Sequence, residues 1–144
     1  MQEILHRVIE PSLIASSKIK KRELVFKELE KLIPACMNCI CGPLFLMYDP
    51  QEREEKMEVG YPVTRQVNRE FIETKIVGRC EVYSTFHFGP CDDIDTKIES
   101  FIGSLGDIID KSEVIIREIY HEYYPENEIE NVTEIQVLIP LERE

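Results

Sequence analysis

The amino-acid sequence predicts an α+β fold in which two β-α-β-β halves form one curved antiparallel sheet carrying two helices, related by a pseudo-twofold axis. The apolar period switches between strand-like and helix-like spacing in the same order twice along the chain. Small turn signatures recur at matching places: Tyr48-Asp49-Pro50 leads to a strand ending Pro62-Val63, and Tyr123-Tyr124-Pro125 leads to one ending Pro140-Leu141. The 144 residues, 43% apolar and 31% charged, fit one domain with a real hydrophobic core. Residues 1–144 are therefore read as a single domain with halves at about 1–66 and 75–144, linked through Asn68 to Thr74.

In the first half, Ile4 to Ile14 reads as extended, with Pro11 at an edge or bend. Arg22 to Ile33 reads as a helix with Val25, Leu29, Leu32 and Ile33 on one stripe and Pro34 ending it. After the Gly42-Pro43 turn, Leu44 to Tyr48 is a short apolar run, read as a buried strand. Asp49-Pro50 and the charged stretch Gln51 to Lys56 form an exposed turn, and Met57 to Val63 alternates Met57, Val59 and Tyr61 against Glu58 and Gly60.

The second half repeats the plan. Ile76 to Phe88 alternates as one strand, with Cys80, Val82, Ser84, Phe86 and Phe88 on one face. Gly89-Pro90 breaks it, and Asp92 or Asp93 is placed to cap a helix carrying Ile94, Ile98, Phe101, Ile102, Leu105, Ile108 and Ile109. Gly103 and Gly106 each weaken that helix by about 1 kcal/mol against alanine and allow an early end. Strands from Val114 to Tyr124 and from Val132 to Leu141 follow, separated by a turn at Pro125-Glu126-Asn127.

Charge excludes several function classes. With 28 acidic and 17 basic residues the net charge is -11, which repels nucleic acid, so direct nucleic-acid binding is not expected. The run Lys18-Ile19-Lys20-Lys21-Arg22 is read as the solvated face at the opening of a helix. No apolar run reaches the roughly 20 residues of a membrane span, and the N-terminus lacks a signal peptide, so a cytoplasmic chain without membrane association is expected. The five cysteines do not form a disulfide framework. Cys36, Cys39 and Cys41 resemble half of a metal site, but no second cysteine pair completes it; they are read as small apolar residues entering a strand, with no metal or cofactor expected.

Chemistry is placed on the last two strands. Glu118 and Tyr120 share one face of their strand, with Arg117 and His121 on the other; Glu134, Gln136 and Leu138 share the face opposite Ile135, Val137 and Ile139. A carboxylate among aromatic rings in a concave site is what recognition of a lipophilic cation requires.

Four stretches resemble the GyrI-like family, the effector-binding domain of AraC- and MerR-type multidrug-responsive regulators. They are Gly42-Pro43 with Tyr48 and Met57-Glu58-Val59-Gly60-Tyr61-Pro62-Val63; His87-Phe88-Gly89-Pro90; Arg117-Glu118-Ile119-Tyr120; and Thr133-Glu134-Ile135-Gln136. The resemblance implies the duplicated fold inferred above and a cleft between the halves that binds a small hydrophobic, cationic or aromatic molecule. It implies that the glutamate of the last strand, Glu134, faces the ligand. The final proline stands two residues later than in that family, which puts Gln136 forward for the same position. The candidate ligand-binding set is Glu134, Tyr120, Glu118, Tyr61, Tyr48, Phe88 and Gln136. The leading expectation is a stand-alone binding or sensing domain, with any role in transcription exercised through a regulator protein partner, since the chain has no room for a helix-turn-helix segment. Two alternatives stand beside it: a hydrolase of reactive small electrophiles using Glu134 and Tyr120 as acid/base groups, and an acidic protein–protein interaction module.

Overall fold

The computed structural model describes residues 3–52, 56–124 and 126–141. Eight strands form a single sheet: β1 (Leu5–Ile9), β2 (Ser12–Ile19), β3 (Phe45–Tyr48), β4 (Met57–Pro62), β5 (Glu73–Val77), β6 (Cys80–Phe88), β7 (Ile115–Glu122) and β8 (Val132–Pro140). Two helices, α1 (Val25–Cys36) and α2 (Ile94–Leu105), complete the fold. The strand order is β1-β6-β8-β7-β3-β4-β2-β5, and every neighbouring pair is antiparallel. The halves β2-α1-β3-β4 and β6-α2-β7-β8 meet at the central pair β3 and β7, where Leu46 lies opposite Glu118.

The topology forces the sheet to curl. β1 and β2 are separated by only Glu10 and Pro11, yet they occupy the first and seventh positions of the sheet. Six strand spacings in a flat sheet would be roughly 29 Å. Three Cα steps span at most about 11 Å. The same holds for β5 and β6, eighth and second in order, joined by Gly78 and Arg79. Each half thus lends its leading strand to the edge of the other, β1 to β6 and β5 to β2.

Two apolar clusters result. The larger lies under the helices and combines Val25, Leu32 and Cys36 of α1 and Ile94, Ile98, Phe101 and Leu105 of α2 with Leu46, Val59, Ile116, Ile135 and Val137 of the sheet. The smaller occupies the helix-free face, where Ile14, Phe45, Met47, Cys80, Val82 and Leu138 are buried by the curl itself. Gly60 allows a close approach of β4 to β2: a Cβ there would lie 2.1 Å from the Ala15 carbonyl oxygen.

Several expectations are corrected. The extended stretch Ile4 to Ile14 is two strands, broken at Glu10-Pro11, and Ile76-Val77 ends β5 rather than beginning β6. The expected linker Asn68 to Thr74 runs into β5, whose exposed, charge-bearing sequence suits a sheet edge. Pro34 does not end α1; it sits in the last turn, and the Glu30 carbonyl it leaves without a helical donor belongs to an exposed residue. Ile33 falls off the buried stripe, which runs through Val25, Leu32 and Cys36. α2 stops at Leu105, where Gly106 takes a φ of +46°, so Ile108 lies beyond it and is exposed. Neither Asp92 nor Asp93 caps α2 through its side chain among the described contacts; a 3-10 turn, Cys91–Asp93, leads in instead. The part of the charged turn at residues 53–55, and Pro125, fall outside the described residues.

Candidate functional site

A charged group has been folded into the middle of the larger core. Glu118 enters β7 between Ile116 and Tyr120 on the helix-bearing face, and its exposure is 0%. A carboxylate in such a position is costly unless paired and hydrogen-bonded. Arg22 supplies the pair: its Nε donates to Glu118 Oε1 at 2.9 Å and its Nη2 to Oε2 at 2.5 Å. Tyr48 donates its hydroxyl to Oε2 at 2.9 Å and Tyr120 to Oε1 at 3.0 Å. The Arg22 side chain is only 11% exposed, and Nη2 also reaches Asp95 Oδ1 of α2 at 2.9 Å. Burial opposes the guanidinium's charge, but the bonds and charges of Glu118 and Asp95 outweigh it and hold its pKa above the ordinary arginine value.

The reading of Arg22 as part of a solvated helix face is therefore corrected. The residue opens a 3-10 turn, Arg22–Leu24, that delivers β2 into α1, and this turn aims the side chain inward across the boundary between the halves. Beside it lies a cleft of about 400 Å³ with Arg22, Phe26 and Tyr120 on its walls and Asp92, Asp95 and Glu128 among its lining residues. Phe26 stacks on Tyr123 at a centroid distance of 3.7 Å and meets Tyr120 edge-on at 5.6 Å, which builds an aromatic wall. Glu118 is buried beside this cleft, bonded by two of its lining residues, Arg22 and Tyr120.

Glu134 and Gln136 lie on the other side of the sheet, on the helix-free face. Glu134 Oε2 accepts from Arg7 Nη2 at 2.9 Å and Gln136 Nε2 at 2.8 Å, and His121 Nε2 lies 2.8 Å from Oε1. Arg117 Nε in turn donates to Gln136 Oε1 at 2.7 Å, with its guanidinium over the Phe45 ring. Burial pushes the Glu134 carboxyl up, but the hydrogen bonds from His121, Gln136 and Arg7 win and leave it below the usual carboxylate range. Glu134 and Tyr120 thus point to opposite faces and cannot act as a pair on one bound molecule. Tyr61 is on the helix-bearing face, where burial and the nearby Cys36 thiol raise its pKa. Phe88 is 69% exposed and stacks on Phe86.

Solved structures share the fold, although no family model matches the sequence and no curated protein does. The C-terminal domain of EcmrR has a TM-score of 0.71 at 16% identity, over 100% of this chain and 99% of that one. In the EcmrR–DNA complex the TM-score is 0.69 at 18% identity, over 95% of this chain and 57% of the longer EcmrR chain. SAV2435 bound to tetraphenylphosphonium gives 0.63 at 11% identity, over 96% and 94% of the two chains. The chain has the GyrI-like fold.

Within the GyrI-like fold, two of the quoted motifs serve geometry. In His87-Phe88-Gly89-Pro90, the ring Nε2 of His87 lies 2.7 Å from the Pro90 carbonyl oxygen, and Gly89 takes a φ of +103° while its N–H donates to the Asn131 carbonyl. The terminal Thr133–Gln136 motif feeds the Arg7–Glu134–His121 cluster on the helix-free face. The Arg117–Tyr120 motif reaches the aromatic cleft through Tyr120, and Glu118 behind it is bonded as well by Tyr48 of the first motif. Arg22, Phe26, Asp95 and Tyr123 also belong there, and periodicity gave no sign of it: each reads from sequence as an ordinary helix or strand-end residue. A second cleft, of about 380 Å³, lies on the helix-free face over Met47, Cys80 and Leu138, with the Lys75–Glu58 ion pair among its lining residues. Cys36 and Cys39 are buried in the larger core while Cys41 is exposed, and among the described residues no group of three or more His, Cys, Asp and Glu is arranged to hold a metal.

Proposed function

We propose that the chain binds a small lipophilic cation in the cleft beside the first turns of α1 and α2, with Phe26, Tyr120 and Tyr123 as the aromatic walls, acidic residues at the rim, and the Arg22–Glu118 pair buried behind them. One observation carries this reading: a cleft walled by stacked rings and rimmed by carboxylates, next to a fully buried carboxylate, Glu118, that already holds a guanidinium and two tyrosine hydroxyls. Rings supply contact area and cation–π attraction, and carboxylates at the rim supply charge. The acidic residues Glu23, Asp92, Asp95 and Glu128 at the cleft attract cations by their field. The neighbour bound to tetraphenylphosphonium supports the same class of ligand. The -11 net charge disfavours direct contact of this domain with DNA, so DNA contact in any transcriptional output falls to another unit.

Thermal unfolding with and without tetraphenylphosphonium tests the reading. A ligand at 100 times its Kd stabilises by about 2.7 kcal/mol, a shift of several degrees. The shift is expected in the natural chain and lost in Phe26→Ala/Tyr123→Ala. No shift with tetraphenylphosphonium or with other lipophilic cations sinks the proposal.

A further inference from the structure

The carboxylate buried beside the proposed cation cleft already has a cation on it. Arg22 approaches Glu118 with its Nε and Nη2 on separate oxygens, the side-on fork by which a guanidinium engages a carboxylate. The two tyrosine hydroxyls complete the set, one on each oxygen. An incoming cation therefore meets a socket shaped for two parallel N–H donors and occupied by a side chain of the protein itself.

We propose that Arg22 is a resident competitor that sets the ligand class of the site: an amidinium or guanidinium on an aromatic body, able to replace Arg22 donor for donor on Glu118. This inference rests on the reading of the cleft as a cation site. Displacement has a route. Arg22 Nη2 already bonds Asp95, whose side chain is 49% exposed, so the guanidinium can swing from Glu118 toward the rim without losing every charged partner. Because Arg22 and Tyr120 both line the cleft, expelling Arg22 opens the path from the cleft to the buried carboxylate. A planar donor cation then restores both N–H bonds. A phosphonium, which carries no N–H, cannot do so; it uses the rings and the acidic rim and leaves Arg22 in place.

Calorimetric titration of benzamidine and of tetraphenylphosphonium into the natural chain, Arg22→Ala and Arg22→Lys tests this. Arg22→Ala removes the competitor and is expected to tighten benzamidinium binding at least tenfold more than it tightens tetraphenylphosphonium binding. Arg22→Lys keeps a charge but loses the fork, and falls between; if the alanine variant does not fold, the lysine variant decides, with a gain of threefold or more for benzamidinium alone. A gain equal for both ligands, or none for benzamidinium, overturns the role of Arg22 while leaving the cation site standing. Failure of every variant to bind either ligand overturns both readings.

Discussion

Removing either partner of the Arg22–Glu118 pair strands a charge inside the larger core, and the cost follows from the geometry. The pair is made of a carboxylate with no exposure and a guanidinium side chain 11% exposed, joined by two direct hydrogen bonds. Breaking a buried pair by deleting one partner costs about 3–5 kcal/mol, because the other charge stays behind uncompensated. For Arg22→Ala the lower part of that range applies, since Tyr48 and Tyr120 still donate to Glu118. For Glu118→Gln, Asp95 still faces Arg22, half in solvent, and the loss is of the same order. At roughly 2–4 °C per kcal/mol for a domain near this size, a 3 kcal/mol loss lowers Tm by about 6–12 °C. A double-mutant cycle in urea separates the pair from its surroundings: Arg22→Ala, Glu118→Gln and the double variant are expected to show a coupling of about 2 kcal/mol or more. Single losses below about 1 kcal/mol with no coupling would refute the reasoning, because they describe an exposed ion pair rather than a buried one.

Three further outcomes follow from contacts elsewhere. Tyr48→Phe removes a hydroxyl bonded to a buried charge and is expected to cost about 1.5–3 kcal/mol by urea unfolding. Glu134 has a folded pKa below its unfolded value, so the unfolded chain binds more protons there; its stabilisation is present above the unfolded carboxylate pKa and is lost as pH falls through the folded one. Stability measured from pH 6 down to pH 2 should therefore fall less steeply in Glu134→Gln, and an unchanged acid limb would show that the carboxylate is not held by Arg7, His121 and Gln136. Gly60→Ala forces a Cβ against the Ala15 carbonyl and is expected to cost at least the roughly 1–3 kcal/mol of ordinary overpacking; a neutral result would mean that β2 and β4 are not packed this closely.

Period and turn chemistry made much of the architecture legible before any coordinates. Alternation in β7 put Glu118 and Tyr120 on one face and Arg117 and His121 on the other, because side chains in a strand have no other choice. The same rule put Glu134 and Gln136 together. Which face carries the helices is a tertiary fact that alternation does not encode, and so Glu134, in a motif resembling a ligand-facing one, lies in a polar cluster on the helix-free face while Glu118 is buried beside the aromatic cleft. Pro11 marked an edge or bend, whereas the corner at Gly78-Arg79 was hidden inside a long alternating run, and only pairing partners distinguish β5 from β6. Arg22 was hidden by its company. In Lys18–Arg22 it is one of four bases, and its inward turn depends on a 3-10 backbone and on a carboxylate 96 residues away.

The central claim is that a lipophilic cation lodges between the starts of α1 and α2, against Phe26 and Tyr123. Amide and aromatic NMR shifts of the labelled chain during titration with tetraphenylphosphonium test it most directly. The account predicts saturable shifts concentrated at Phe26, Tyr120, Tyr123 and Asp95, with Met47, Cys80 and Leu138 unmoved. Shifts centred on Met47, Cys80 and Leu138, or none that saturate, would contradict it.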